Sequence, residues 1–414
     1  MSHTIPPANV QLGVFFDGTG NHLAHAHNDD ASNVAKLFAR YPHAPEQHQL
    51  RLYIEGIGTA DDEESSLFAM ATGKGSLGWE AAIGRAHKGT LELLRAWISQ
   101  HPGRQIDSLT LDLFGFSRGA ACARHFANDL CAGPEGVLGR ALHKSKIIAP
   151  ALHRAPLRIG FMGLFDTVAA IMGPGAQPCL QLRDNMARRI VHLVAADEHR
   201  HNFALSSAGA YDLPVPGAHG DIGGGYPPLM EERLILTRPD GSCIAPQRPL
   251  ESAPSYLRTA ALLDRPATHP PDYGFELQIR TWTKNTYSST RGDRVDAVQV
   301  HAALEGRRSV RNDLSRLYLQ AMHQLAVAEG VPFEPLAQPT YPEELQPIVA
   351  KLLASACGNA TAPSLSASEQ ALLYRRYIHH SHHWGASLLG QTSDLDAVFV
   401  QRPAPQGKRR ILPA

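Results

Sequence analysis

LTLDLFGFSRGAACARHFAN, residues Leu109 to Asn128, is the stretch whose reading decides the fold. Its first half alternates and then runs continuously apolar, as a buried strand does. Its second half, AACARHFAN, is built of small and helix-forming residues, which suits a helix packed tightly on a sheet. Between them stands Gly115-Phe116-Ser117-Arg118-Gly119. A serine on a sharp strand-to-helix turn is held in a strained backbone conformation with its Oγ exposed. Glycines two residues to either side let strand and helix approach closely enough to make the turn. The helix N terminus beyond favours negative charge developing on a bound carbonyl. The stretch reads as a nucleophile elbow, against the alternative of a structural turn serine.

Working outward, the 414 residues suffice for one large domain with insertions or for two domains. The formal net charge is zero, so there is no electrostatic footprint for nucleic acid. The 22 histidines are scattered, with no H-E-x-x-H and no Cys/His ligand spacing, so no metal site or cofactor is expected. The five cysteines include no C-x-x-C, and an odd, dispersed set suits a reducing compartment. The N terminus, MSHTIPPANVQLGVFFDG, has no basic n-region and no long apolar core, so it is not read as a signal peptide. The expected location in the producing cell is the cytoplasm.

Gln11–Phe16 and Gln49–Ile54 read as buried strands, with a short helix Ser32–Tyr41 between them, capped at Ser32 or Asp30. The loop Asp17-Gly18-Thr19-Gly20-Asn21 follows the first strand. It reads either as an ordinary turn or as a source of oxyanion-binding amides. The acidic run Asp61-Asp62-Glu63-Glu64 reads as a solvated turn. Trp79–Ser99 has helical periodicity. Leu157–Phe165 and Arg189–Ala195 are further buried strands, followed by Tyr211–Val215 and the glycine-rich loop Pro216–Tyr226. Alternating strands and helices over 11–226 predict a mostly parallel α/β sheet with helices on both faces. Residues 227–275 are proline-rich and read as an insertion or lid over the cleft. Phe275–Trp282 reads as a strand, and Asp313–Gly330, Glu343–Ala356 and Ser368–Ile378 as helices. The C-terminal GKRRI reads as a solvated end.

A serine hydroxyl needs a base to take its proton and an acid to orient that base. Ser117, Asp166 and His219 occur in the chain order of an α/β-hydrolase triad, each in a strand-end loop. Asp197 also follows a strand, but it precedes an expected helix, E-H-R-H-N-F, and reads more simply as its N-cap. Asp221 is a second alternative acid, and His379 and His380 are alternative bases.

The motifs FFDGTGN (Phe15–Asn21), GFSRGA (Gly115–Ala120), GLFDTV (Gly163–Val168) and PGAHGDIGGGY (Pro216–Tyr226) resemble the catalytic domain of type VI secretion lipase effectors of the first class. Those are antibacterial phospholipases with an α/β-hydrolase core. The resemblance is close over 11–226 and looser at Asn312–Ala326 and Tyr377–Trp384. It implies a triad of Ser117, Asp166 and His219, with an oxyanion hole from Arg118 and from Gly18 or Thr19. It further implies a phospholipid membrane as substrate, an immunity protein and a secretion spike protein as partners, and delivery to the target-cell periplasm or membrane. Longer family members carry a C-terminal part that engages membranes; here that role is expected of the insertion or of a partner. The whole chain, 1–414, is expected as one α/β-hydrolase-like domain: core 11–226, insertion 227–275, and a C-terminal strand and helices over 276–414. The alternatives are a carboxylesterase or thioesterase on small soluble esters, and a non-catalytic binding scaffold.

Overall fold

The structure, a computed structural model, describes residues 8–19, 21, 29–57, 78–145, 147–148, 157–169, 177–263, 272–290, 293–386 and 395–413. The acidic run Asp61–Glu64 lies outside the described residues, as do Gly20 and part of the proline-rich segment.

Strands β1 (Asn9–Phe16), β2 (Gln49–Ile54), β3 (Ser108–Phe116), β4 (Arg158–Phe165) and β5 (Arg189–Ala195) are followed by the short β6 (Leu205–Ser206) and by β7 (Asp212–Val215). All except β6 form one six-stranded sheet in the order β2-β1-β3-β4-β5-β7, parallel at every pairing. The helices are α1 (Asn33–Arg40), α2 (Trp79–Gln100), α3 (Arg118–Cys131), α4 (Val137–Ser145), α5 (His219–Gly223), α6 (Pro254–Leu263), α7 (Asp313–Ala328), α8 (Gln346–Ala356) and α9 (Ala367–Arg376). Ser32 caps α1 as expected, its Oγ accepting from the Ala35 amide at 3.0 Å.

A parallel sheet must be covered on both faces, and its central strands β1, β3 and β4 are correspondingly rich in buried apolar residues. On one face, Val10, Leu12 and Val14 of β1 and Leu109, Leu111 and Leu113 of β3 pack with Ala86, Leu94 and Trp97 of α2, Phe126 of α3 and Leu138 of α4. On the other, Phe15, Phe114 and Phe161 pack with Leu37 of α1, Leu317 and Met322 of α7, Ile348 of α8 and Leu373 of α9. The C-terminal helices thus complete the core of the main sheet. Because β2 and β3 flank β1, the direction of winding reverses between β1 and β3. In such a sheet the crevice for ligands opens beyond the C-terminal ends of those strands.

The proline-rich segment is more regular than its composition suggests. It contributes β8 (Leu229–Ile235) and β9 (Asp240–Ile244) to a second, antiparallel sheet, and α6 packs against that sheet. That sheet is built on the long hairpin β10 (Glu276–Thr290) and β11 (Asp293–Arg311). β11 pairs β8 near its end and β9 near its middle. Ser255 of α6 donates to the Val300 carbonyl of β11 at 2.8 Å. The described part of 227–275 therefore packs on this second sheet and on the chain near residues 374–384. Buried Arg308 on β11 makes that junction: it pairs with Glu232 at 2.7 Å and donates to the carbonyls of Tyr273, Tyr374 and Ile378. No helix among the described residues is long and apolar enough to cross a membrane.

Candidate active site

Ser117 stands between the end of β3 and the start of α3 with φ 58° and ψ −123°, a region that non-glycine residues enter only under constraint. The flanking glycines show the constraint. A Cβ on Gly115 would lie 2.6 Å from the Ala120 Cα, and one on Gly119 would lie 2.2 Å from the Phe16 carbonyl oxygen. The Ser117 amide donates to the Phe165 carbonyl at 3.0 Å, and its carbonyl accepts from Val168 at 3.2 Å. These bonds splice the serine into the turn that carries Asp166.

Asp166, at the tip of β4, is fully buried and itself has φ 40°. Its Oδ2 lies 2.6 Å from His219 Nδ1, and its Oδ1 accepts from the Ala195 amide at 2.9 Å. Two further bonds come from Arg409, whose guanidinium reaches Oδ1 at 2.6 Å and Oδ2 at 2.8 Å. Burial alone would raise the carboxyl's pKa, but the Arg409 charge and the hydrogen bonds outweigh it, and the group is held well below the usual carboxylate range. Of the C-terminal GKRRI, Gly407, Lys408, Arg410 and Ile411 are exposed as a solvated end would be, but Arg409 turns inward, its side chain only 6% exposed.

His219 opens α5, and its ring lies 4.6 Å from that of Phe116 and 5.1 Å from that of Phe203. Gly223 makes room for this packing, since a Cβ there would come within 2.0 Å of the Phe116 ring. The loop is pinned on several sides. Asp221 accepts from the Ala218 amide at 2.9 Å, and Glu198 accepts from the His219 amide at 3.4 Å. Glu198 is itself paired with Arg200 at 2.6 Å; against the effect of its burial, that partner lowers its pKa to about 2. Among the described residues, no hydrogen bond engages Ser117 Oγ or His219 Nε2, so the structure bonds His219 to Asp166 but not to Ser117.

The alternative acids and bases have other work. Asp197 caps no helix, because residues 198–203 do not form one. It accepts from the Gly217 amide at 2.7 Å and from the Tyr374 hydroxyl at 2.7 Å, bracing the base of the histidine loop. His379 is wholly buried, bonded to Asp221 at 2.6 Å and stacked on Tyr226. His380 packs against Tyr273 and Phe275, and burial together with neighbouring positive groups pushes its pKa well down.

The loop after β1 is organised by Asp17, whose role the sequence reading missed. Its buried carboxylate accepts from Gly18 N at 2.6 Å, Asn21 at 3.1 Å, Ser32 Oγ at 2.6 Å and the Tyr53 hydroxyl. The Gly18 amide is thus bonded to the Asp17 carboxylate. Thr19 Oγ1 accepts from Arg118 Nε at 2.6 Å, tying that loop to the elbow. An apolar recess lined by Ile57, Trp79, Ala121, Cys122, Ala169 and Pro178 opens beside Arg118. Among the described residues, no group of three or more His, Cys, Asp or Glu is arranged to hold a metal ion.

Residues 11–133 match the family model described as "T6SS, Phospholipase effector Tle1-like, catalytic domain". The match spans β1 through the elbow helix, and its family is the one that the motifs resemble. The fold is similar over 99% of this chain and 95% of the other to a solved structure described as "Structure of the Tle1 effector bound to the VgrG spike from the Type 6 secretion system". The TM-score is 0.77 at 24% sequence identity, which establishes the α/β-hydrolase-like architecture. A second solved structure, an uncharacterized protein from Pseudomonas aeruginosa, aligns over 86% of this chain and 51% of its own at TM-score 0.44 and 19% identity. No curated protein matches.

Proposed function

We propose that this chain is a serine-dependent phospholipase of the A type, acting as an antibacterial type VI secretion effector on the glycerophospholipids of target-cell membranes. One observation carries the reading. A strained serine at a strand-to-helix turn shares its loop hydrogen bonds with a buried carboxylate that grips a histidine at 2.6 Å. The match of residues 11–133 favours phospholipids over other esters.

Ser117 Oγ attacks the ester carbonyl while His219 Nε2 takes its proton and returns it to the leaving alcohol. Asp166 keeps the proton on Nδ1 in the resting state and stabilises the imidazolium once it forms. The amide of Arg118, in the first turn of α3, and that of Thr19 bind the oxyanion. A spike protein like the VgrG named for the similar structure, and an immunity protein, are the proposed partners.

The test is purified protein on mixed phospholipid vesicles, with mass spectrometry of the products. Fatty acid and lysophospholipid released by the wild type and not by Ser117→Ala support the reading. Turnover confined to short soluble esters overturns the lipid assignment. Toxicity to a sensitive host only when an export signal is added supports periplasmic action; equal toxicity without it counts against that.

A further inference from the structure

The C-terminal segment is stitched to the chain that follows β5. The His201 amide donates to the Arg402 carbonyl at 3.0 Å, Ala404 N to the His199 carbonyl at 2.7 Å, and Leu205 N to the Arg410 carbonyl at 2.9 Å. Strand β12 (Ile411–Leu412) then pairs in parallel with β6. This pairing sets Arg409 beneath the tip of β4. Its guanidinium makes both bonds to Asp166 and a third to the Ala195 carbonyl at 2.9 Å.

We propose that Arg409 is a positioning residue for the Asp166–His219 pair, so that turnover depends on the docked C-terminal segment. The inference rests on the triad reading above and adds to it a residue from the far end of the chain.

A wholly buried carboxylate is costly unless it is paired and its acceptor positions are filled. Asp166 receives one bond from His219, one from Ala195 and two from Arg409. A guanidinium fork fixes the plane of a carboxylate, which a point charge does not. That plane aims Oδ2 at Nδ1 of His219. Oδ2 is also shared between the imidazole and Arg409, so the cation weakens the field that the carboxylate exerts on the ring. The other charged or titratable groups around the pair are already committed. Glu198 is paired with Arg200, and Asp212 is bonded to His192, whose Nε2 accepts from the Thr167 amide. Arg409 is therefore the cation in direct contact with the acid.

The experiment measures kcat, KM and the pH profile on a soluble short-chain ester for full-length Arg409→Gln, Arg409→Lys, Arg410→Ala and Ser117→Ala. Arg409→Gln removes fork and charge: kcat falls roughly 10–100-fold, the range seen when the partner orienting a catalytic ligand is lost, with KM little changed. The acid limb of its kcat/KM profile moves to higher pH, because the carboxylate's field on the base is no longer offset. Arg409→Lys keeps the charge and loses the fork, so kcat falls while the limb stays in place. Millimolar guanidinium restores part of the Arg409→Gln activity. Exposed Arg410 is the control, and its replacement changes none of these quantities. Wild-type kcat and an unmoved acid limb in whichever Arg409 variant folds overturn the proposal, as does an Arg409→Gln that loses only thermal stability. An active Ser117→Ala overturns the triad reading and this proposal with it. An inactive Ser117→Ala beside wild-type-like Arg409 variants overturns this proposal alone.

Discussion

The Asp166–His219 pair and the Asp212–His192 pair share the same 2.6 Å bond and differ in what surrounds it. His192 sits inside β5 with no exposure, and its Nε2 accepts from the Thr167 amide at 2.9 Å. That bond places the ring proton on Nδ1 and occupies the lone pair a base would use. His219 keeps 8% side-chain exposure, and its Nε2 edge is unclaimed among the described residues. An aspartate–histidine bond does not by itself make a catalytic base; the fate of the second ring nitrogen decides. The pairs also differ in charge balance, since Asp166 faces Arg409 whereas Asp212 is held by Ser207 Oγ and the Ala208 amide.

Replacing Ser117 by alanine is the largest break available. Turnover should fall by at least about 10³-fold with the unfolding midpoint unchanged. Activity retained on any ester would reduce His219 to the same structural standing as His192. Next comes the pair of carboxylates. Asp166→Asn should cost on the order of 10⁴-fold in kcat, as the comparable change does in a serine protease. Asp212→Asn and Asp197→Asn should each cost less than about tenfold in kcat and appear mainly as lowered stability. Steady-state turnover on one ester, with thermal unfolding of each variant, checks both; the reverse ranking would exchange the roles of the two pairs.

Gly223→Ala tests the packing that keeps His219 in place. The added methyl meets the Phe116 ring, so we expect about 2 kcal/mol of destabilisation and a lowered kcat. Urea unfolding and turnover measure the two effects separately.

The smallest effect sharpens the contrast in charge balance. Asp112, on the same strand as the elbow, is a buried carboxylate whose direct partners are the neutral Gln11 and Tyr41. Burial raises its pKa from 3.8 to about 6 against the pull of those bonds. Between these values the folded protein holds a proton that the unfolded chain has released. Stability therefore falls as pH rises through this window and stays lower above it. Asp112→Asn should remove that loss, a gain on the order of 1–3 kcal/mol at pH 7 that vanishes below about pH 4. Denaturant unfolding at both pH values reads it. A gain of equal size at the two would show that packing, not charge, sets the cost.

Much of the first sheet was legible because its central strands are buried on both faces and so read as largely apolar runs. Gln49–Ile54 and Arg189–Ala195 coincide with β2 and β5. β11 was not legible, although with 19 residues it is the longest strand. Its apolar positions are interleaved with Arg, Glu, Asp and His, whose burial or exposure is settled by pairing with β8, β9 and β10. The proline-rich stretch failed for a related reason: short strands such as β9, five residues long, exist only because β11 accepts them.

The elbow and the chain order of Ser117, Asp166 and His219 were written in local sequence, because a strained turn needs small residues at fixed offsets from the serine. Which acid serves His219 was not, since Asp166, Asp197 and Asp221 all stand near strand ends. Nor was the bond from the Gly18 amide to its neighbouring carboxylate, or the placement of Arg409 on Asp166 across 243 residues of chain. Periodicity and turn chemistry act over a few residues and can be read directly. The pairing of buried charges depends on which strand ends the sheet order brings together, and on a β12–β6 contact of only two residues. That choice belongs to the assembled core.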